Sequence, residues 1–298
     1  MKINQVAVIG TGTMGNGIVH SFALAGFKVS MIGVSDQLNQ EALLKIQANL
    51  SRQVKKNLIS ENGMQTALNN ISAFTAIKDG TQQADLIVEA VPEDEDVKRK
   101  VFQQIDQYAP VHAIIASNTS SLPITRIGAF TNRSENVVGM HFMNPVPLMP
   151  LVEVIRGFNT SDTTNEAIKE ITIQLGKTPV EVNDYPGFVA NRILMPMINE
   201  AIYALFEGVA GVQQIDAVMK LGMAHPMGPL QLADFIGLDV CNSILNVLYQ
   251  DFKNPKYAPC PLLQKMAQSG NLGVKSGKGF YDYSSGGKDL VVASYFLK

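Results

Sequence analysis

Val6-Ala-Val-Ile-Gly10-Thr-Gly12-Thr-Met-Gly15 is a short apolar run that breaks into Gly-x-Gly-x-x-Gly near the start of the chain. A buried strand, Val6–Ile9, delivers the chain through a tight turn to a helix whose first amide N–H groups can hold a diphosphate. Gly10 permits the turn, Gly12 lets a ligand approach the backbone, and Gly15 lets helix and strand pack closely. Thr13 and Met14 open the helix between them. The glycine pattern alone is weak, and its surroundings carry the reading. Ile18, Phe22, Leu24 and Ala25 continue a helical repeat that closes at Gly26, and a second β-rich run, Phe27–Ile32, follows. This strand–helix–strand order predicts a dinucleotide site in which Gly10, Gly12, Thr13, Met14 and Gly15 contact the cofactor.

The acid that usually ends the second strand, where it bonds the adenosine ribose and excludes a 2′-phosphate, is missing. Val29-Ser-Met-Ile-Gly33-Val-Ser35-Asp36 puts Gly33 in its place. Three readings compete. Asp36 could serve from the next loop, but it stands late and is expected to cap the following helix. Ser35 could receive a 2′-phosphate, which would admit NADP(H). Otherwise NAD(H) binds through its diphosphate and nicotinamide ends with weaker discrimination. No Arg stands nearby to grip a phosphate, so NAD(H) with impaired discrimination is the reading carried forward, with NADP(H) as the alternative.

A chain of 298 residues has room for two domains, each with its own core. A formal net charge of −2 argues against a nucleic-acid partner, which would need a basic surface. No apolar stretch approaches the roughly 20 residues needed to span a bilayer, so no membrane association is expected. The first strand begins too early to leave room for a targeting segment. Cys241 and Cys260 lack metal-ligand spacing and read as two ordinary thiols in a reducing compartment. A cytoplasmic protein without a metal is the expectation.

Asn39–Asn57 carries helical periodicity through Leu43, Leu44, Ile46, Leu50 and Val54, and ends in Arg52, Lys55 and Lys56. On spacing alone that basic end is a solvated face near a helix C-terminus. Strands are expected at Ile71–Phe74, Leu86–Glu89, Ala113–Ala116, Val137–His141 and Leu151–Ile155, with helices at Asp96–Tyr108 and Thr164–Leu175. The alternation predicts a mostly parallel sheet covered on both faces. After Pro186-Gly187, a boundary signal, strands become hard to find. Val189–Gly208, Val212–Leu221, Leu230–Asp251 and Cys260–Ser269 read as helices, the first kinked or interrupted at Pro196. The expected architecture is an α/β Rossmann-type doubly wound sheet domain over 1–185, followed by an all-α C-terminal domain over 186–298.

A nicotinamide reaction needs a group that moves a proton. Of the four histidines, His20 and His112 read as structural or exposed, and His225 lies in a turn. His141 stands at the carboxyl end of a sheet strand, where α/β folds place their crevice. Glu153 is a lone acid inside Leu151-Val-Glu-Val-Ile155, and an unpaired carboxylate in so apolar a strand is costly. Pairing it with His141 resolves both problems: the carboxylate fixes the imidazole tautomer and stabilises its protonated form. The competing reading has Glu153 facing outward and His141 as a core residue.

Taken together, the motifs resemble the short-chain L-3-hydroxyacyl-CoA dehydrogenase family. The residues that carry the likeness are Ser117-Asn-Thr-Ser-Ser121-Leu, His141-Phe-Met-Asn144-Pro-Val-Pro, Leu151-Val-Glu153-Val-Ile, Pro186-Gly-Phe-Val-Ala-Asn191-Arg, His225-Pro-Met-Gly-Pro229-Leu, Phe235-Ile-Gly-Leu-Asp239 and Ser276-Gly-Lys-Gly-Phe-Tyr281. They span nearly the whole chain in the family's order.

The resemblance implies that His141 is the catalytic acid/base and Glu153 its partner, with Ser120 and Asn191 binding the reacting oxygen. Ser120, Glu93, Lys98, Asn144 and Lys275 would contact the cofactor. Ser51, Lys55 and Lys56 would meet a short-chain acyl-CoA, which turns the basic helix end from a solvated face into a phosphate contact. A homodimer is expected on the same ground. Two departures stand out: Gly33 replaces the family's Asp, and Pro150 stands where relatives usually carry Lys. Two rival readings remain, a dehydrogenase of a free hydroxy or sugar acid on the same scaffold, and a nucleotide-binding relative without turnover.

Overall fold

The structure, a computed structural model, describes residues 2–284 and 290–297. The chain divides into two compact units, Met1–Tyr185 and Pro186–Lys298.

The first unit runs β1 (Gln5–Ile9), α1 (Thr13–Leu24), β2 (Lys28–Ile32), α2 (Asp36–Lys55), α3 (Glu61–Asn69), β3 (Ile71–Phe74), α4 (Ile77–Thr81), β4 (Leu86–Glu89), α5 (Glu95–Tyr108), β5 (Ile114–Ser117), α6 (Ile124–Gly128), β6 (Val137–Phe142), β7 (Leu151–Arg156), α7 (Asp162–Gln174) and β8 (Thr178–Asn183). The strands form one sheet in the order β3-β2-β1-β4-β5-β6-β7-β8. Because β1 has β2 on one side and β4 on the other, the winding reverses there, and Gly10 leaves the sheet at the switch point. Every neighbouring pair is parallel except β6 and β7, which are antiparallel. The central strands are near-continuous apolar runs because helices cover both faces: all of β4 and β6 is buried. Val8, Met31, Val88 and Ala116 pack with Phe22 of α1 and Ile46 and Leu50 of α2. Each fully buried side chain of this size contributes about 1.5–3 kcal/mol.

The second unit contains α8 (Ala190–Phe206), α9 (Val212–Gly222), α10 (Pro229–Ile236), α11 (Leu238–Phe252) and α12 (Pro261–Gln268), then a short antiparallel pair, β9 (Tyr281–Asp282) with β10 (Val291–Val292). Ile198, Ile202, Leu230, Leu245, Leu248 and Leu263 form its core. Two buried acids organise it. Asp216 accepts the Leu230 and Gln231 N–H groups at 2.8 and 3.0 Å, serving the first turn of α10. Asp234 accepts those of Phe280 and Tyr281, both at 2.9 Å, and so fastens β9 to α10.

Several expectations are corrected. The second unit is mainly helical but carries the β9–β10 pair. The single helix expected over Leu230–Asp251 is two helices bent by 96°, broken where Gly237 adopts φ 106°. No interruption occurs at Pro196, which lies inside a continuous α8. The cap of α2 is Ser35, whose hydroxyl oxygen accepts the Leu38 N–H at 3.3 Å; Asp36 is the first helical residue. Strand β8 gave no signal: Thr178-Pro-Val-Glu-Val-Asn is mostly exposed and carries a proline, which an edge strand tolerates. No single helix among the described residues is long and apolar enough to cross a membrane.

Candidate active site

The glycine loop is shaped as a cradle. Gly10 has φ +107°, and a Cβ there would lie 2.4 Å from the Ala90 carbonyl oxygen. At Gly15 a Cβ would come within 1.9 Å of the Gly10 oxygen, whereas at Gly12 it would meet nothing within 4 Å. The first and third glycines are therefore demanded by packing, and the second leaves open space at the N-terminus of α1. That terminus has no side-chain cap and no acid in its first turn. Its leading N–H groups, at Thr13 and Met14, are presented to an anion in the manner of a diphosphate site. The residues present thus fit a dinucleotide.

His141 lies next to the end of β6 and is directly opposite Glu153 in the antiparallel register with β7. Side chains so placed point to the same face, and His141 Nδ1 stands 2.7 Å from Glu153 Oε2. Both residues are buried, which strengthens a charge-assisted hydrogen bond. Asn118 ties the neighbouring loop to this strand, its Oδ1 accepting the Phe142 N–H at 2.9 Å.

Ser120 belongs to that loop, after β5, and Glu93 holds the loop in place. Glu93 Oε1 accepts the N–H groups of Ser120 and Ser121 at 3.1 and 3.0 Å, the Ser121 hydroxyl at 2.8 Å, and the Thr119 hydroxyl in a short bond. Burial alone would push the Glu93 carboxyl up. The Lys98 ammonium and the Thr119 and Ser121 hydroxyls more than offset it, and the group titrates below the usual carboxylate range. Lys98, 1% exposed, lies between Glu89 at 2.7 Å and Glu93 at 3.2 Å. Glu89 is fully buried and also accepts the Val91 N–H at 2.7 Å and the Ser117 hydroxyl at 2.6 Å. One buried network thus braces the loops that follow β4 and β5.

A pocket of about 340 Å³ lies beside the cradle. Gly12, Thr13, Asn16 and Gly17 of α1, Lys45, Ala48, Asn49 and Arg52 of α2, and Asn144–Pro147 form its walls. Ser51, Lys55 and Lys56 are not among them: Ser51 turns toward Met64 Sδ at 3.6 Å, and the two lysines are exposed at the end of α2. The cations on this pocket's wall are Lys45 and Arg52, and their spacing with Asn49 puts all three on one helix face. Lys177 secures the loop that carries Asn144, donating to the Val146 and Met149 carbonyls at 2.6 and 2.7 Å.

The first unit therefore brings His141 to Glu153 and Ser120 to Glu93 and Lys98, and sets Asn144 near Gly12 and Thr13. Asn191 stands in the first turn of α8 in the second unit, and Lys275 of that unit pairs with Asp239 at 2.6 Å. Gly33 directly follows β2 and lies against Asn39. Glu89 was not anticipated, although Leu86-Ile-Val-Glu89 shows the same signal as Glu153, an acid inside an apolar strand. Lys45 and Asn49 were not anticipated either, although their helical spacing with Arg52 is the signal that groups them.

Residues 5–185 match the family described as 3-hydroxyacyl-CoA dehydrogenase, NAD binding domain, and residues 187–283 match its C-terminal domain. The chain is 51% identical over 283 residues to a probable 3-hydroxybutyryl-CoA dehydrogenase of Bacillus subtilis, covering 95% of this chain and 98% of the relative. It is 52% identical to a 3-hydroxybutyryl-CoA dehydrogenase of Bradyrhizobium diazoefficiens, covering 94% and 96%. The crystal structure of an (S)-3-hydroxybutyryl-CoA dehydrogenase from Ralstonia eutropha superposes with a TM-score of 0.91 at 47% identity, covering 95% of this chain and all of that one. With both domains matched in order and half the residues shared, the chain belongs to the 3-hydroxyacyl-CoA dehydrogenase family.

Proposed function

We propose that this protein interconverts (S)-3-hydroxybutyryl-CoA, or another short-chain L-3-hydroxyacyl-CoA, and the 3-oxoacyl-CoA, using NAD(H). The observation that carries the proposal is the 2.7 Å contact between His141 Nδ1 and Glu153 Oε2 at the carboxyl edge of the sheet. Bound nicotinamide supplies or receives the hydride. In oxidation, neutral His141 takes the proton of the 3-hydroxyl; in reduction, its imidazolium returns it. Glu153 engages Nδ1, which assigns the substrate proton to Nε2 and orients the ring. Ser120 and Asn191 donate to the reacting oxygen, an assignment that rests on the family likeness, and donors fixed in advance favour the charge developing there. Glu93 and Lys98 serve by holding the Ser120 loop. Gly10, Gly12, Thr13, Met14 and Gly15 receive the diphosphate, with Asn144 and Lys275 as further cofactor contacts.

The basic wall of Lys45 and Arg52 supports a phosphate-bearing substrate over a free acid. Exposed Val218, Leu221 and Met223, at the end of α9, support association of two copies through the second unit. NADH consumption with acetoacetyl-CoA and with free acetoacetate tests the reading. Saturation by the thioester and negligible turnover of the free acid are expected. Equal turnover of the free acid would favour a hydroxy-acid dehydrogenase, and NADH binding without turnover a non-catalytic relative.

A further inference from the structure

Asn39, in the first turns of α2, is polar yet only 1% exposed. It reaches back to the ends of β2 and β3, where its Nδ2 donates to the carbonyl of Phe74, the last residue of β3, at 2.9 Å. The same carbonyl accepts the Gly33 N–H at 3.1 Å. That bond settles which end of the amide is which. It leaves Oδ1 buried, without a hydrogen-bond partner among the described residues. A Cβ at Gly33 would lie 2.2 Å from this oxygen, 3.1 Å from Asn39 Cγ and 3.0 Å from Thr11 Cγ2. Gly33 is not among the glycines with positive φ, so its backbone would accept any side chain. Asn39, not conformation, requires glycine here.

We propose that Asn39 is the specificity-determining residue at the ribose end of the dinucleotide site. Its carboxamide takes the volume that the usual acid at the end of β2 would need, and puts a neutral acceptor where a carboxylate would stand. A carboxylate there discriminates by bonding a 2′-hydroxyl and repelling a 2′-phosphate. The amide oxygen, buried and uncharged, offers the ribose no such carboxylate bond and exerts no such repulsion. Gly33 and Asn39 are therefore a matched pair, and an acid at position 33 cannot act until Asn39 is cleared from its place. The inference rests on the dinucleotide reading given under Proposed function.

The test measures dissociation constants for NADH and NADPH by fluorescence, together with thermal midpoints, for the wild type, Gly33→Asp, Asn39→Ala and the double variant. The wild type binds the two nucleotides within about tenfold of each other. Gly33→Asp alone lowers the midpoint by several degrees and leaves that ratio nearly unchanged. Gly33→Asp with Asn39→Ala recovers midpoint relative to Gly33→Asp and weakens NADPH against NADH by at least about tenfold. Discrimination by Gly33→Asp alone equal to that of the double variant, with an unaltered midpoint, would overturn the inference. So would strong NADH preference in the wild type, or a double variant that binds NADH without preference, both of which leave the dehydrogenase reading intact. Failure of the wild type to bind either nucleotide overturns both readings.

Discussion

His141 and Glu153 face each other across the antiparallel β6–β7 pair, and their side chains meet at 2.7 Å in the interior of the first unit. The register explains the contact, since antiparallel strands bring directly opposed side chains to one face. Replacing Glu153 with Gln keeps the shape but removes the charge that steadies an imidazolium and can reverse the tautomer. Glu153→Gln is expected to lower kcat for acetoacetyl-CoA reduction by about a hundredfold, with NADH affinity unchanged by fluorescence titration. An equal loss of NADH affinity would instead point to a general collapse of the site.

Lys98 is sealed between Glu89 and Glu93. Lys98→Met removes the cation and leaves buried carboxylate uncompensated, which costs about 3–5 kcal/mol for a pair broken on one side. Urea unfolding is expected to show a lowered midpoint with an unchanged m-value. A midpoint equal to wild type would mean that the network is not braced by this charge.

The proposed function places the phosphates of the substrate on the α2 wall of the pocket, at Lys45 and Arg52. Arg52→Ala is expected to raise the KM for acetoacetyl-CoA several-fold, with little change in kcat, because a binding contact remote from C3 is lost. The effect shrinks as salt rises, since exposed charges are screened. Ser51→Ala, on another face, leaves KM unaltered. Steady-state kinetics at low and high salt check both outcomes.

His20 is buried on α1, and burial drives its imidazole down from 6.5 to about 4, partly opposed by the hydrogen bond with Gln53 and reinforced by the nearby Lys177 charge. In the unfolded chain it takes a proton near 6.5, so between that pH and about 4 the unfolded state binds more protons. Its contribution is full above pH 6.5 and is lost as pH falls through about 4. The total is roughly 3 kcal/mol. His20→Leu is expected to flatten the acid limb of the stability curve between those values. Denaturant midpoints that fall as steeply in the variant as in the wild type would contradict this.

Much of the first unit was legible because its strands are apolar runs of distinctive length and its glycine loop sits where the winding reverses. Glu153 was legible because a single acid in an apolar strand demands a partner. Glu89 offered the same signal and went unread. Strand β8 was hidden because an edge strand with exposed positions and Pro179 has neither an apolar run nor a clean alternation. The break at Gly237 was hidden because the flanking apolar repeats continue through it. The basic end of α2 is plain in the sequence as Arg52, Lys55 and Lys56, whereas the grouping of Lys45, Asn49 and Arg52 on one pocket wall depends on how α2 packs beside α1. The match of Gly33 with Asn39 depends on how α2 packs over β2, and no local pattern announces it.

Replacement of His141 tests the central claim most directly. With acetoacetyl-CoA and NADH at saturating concentrations, His141→Ala should lose at least about a hundredfold in turnover, while retaining wild-type NADH affinity and thermal midpoint. A folded His141→Ala protein that still reduces acetoacetyl-CoA at near wild-type rates would contradict the assignment of His141 as the proton carrier.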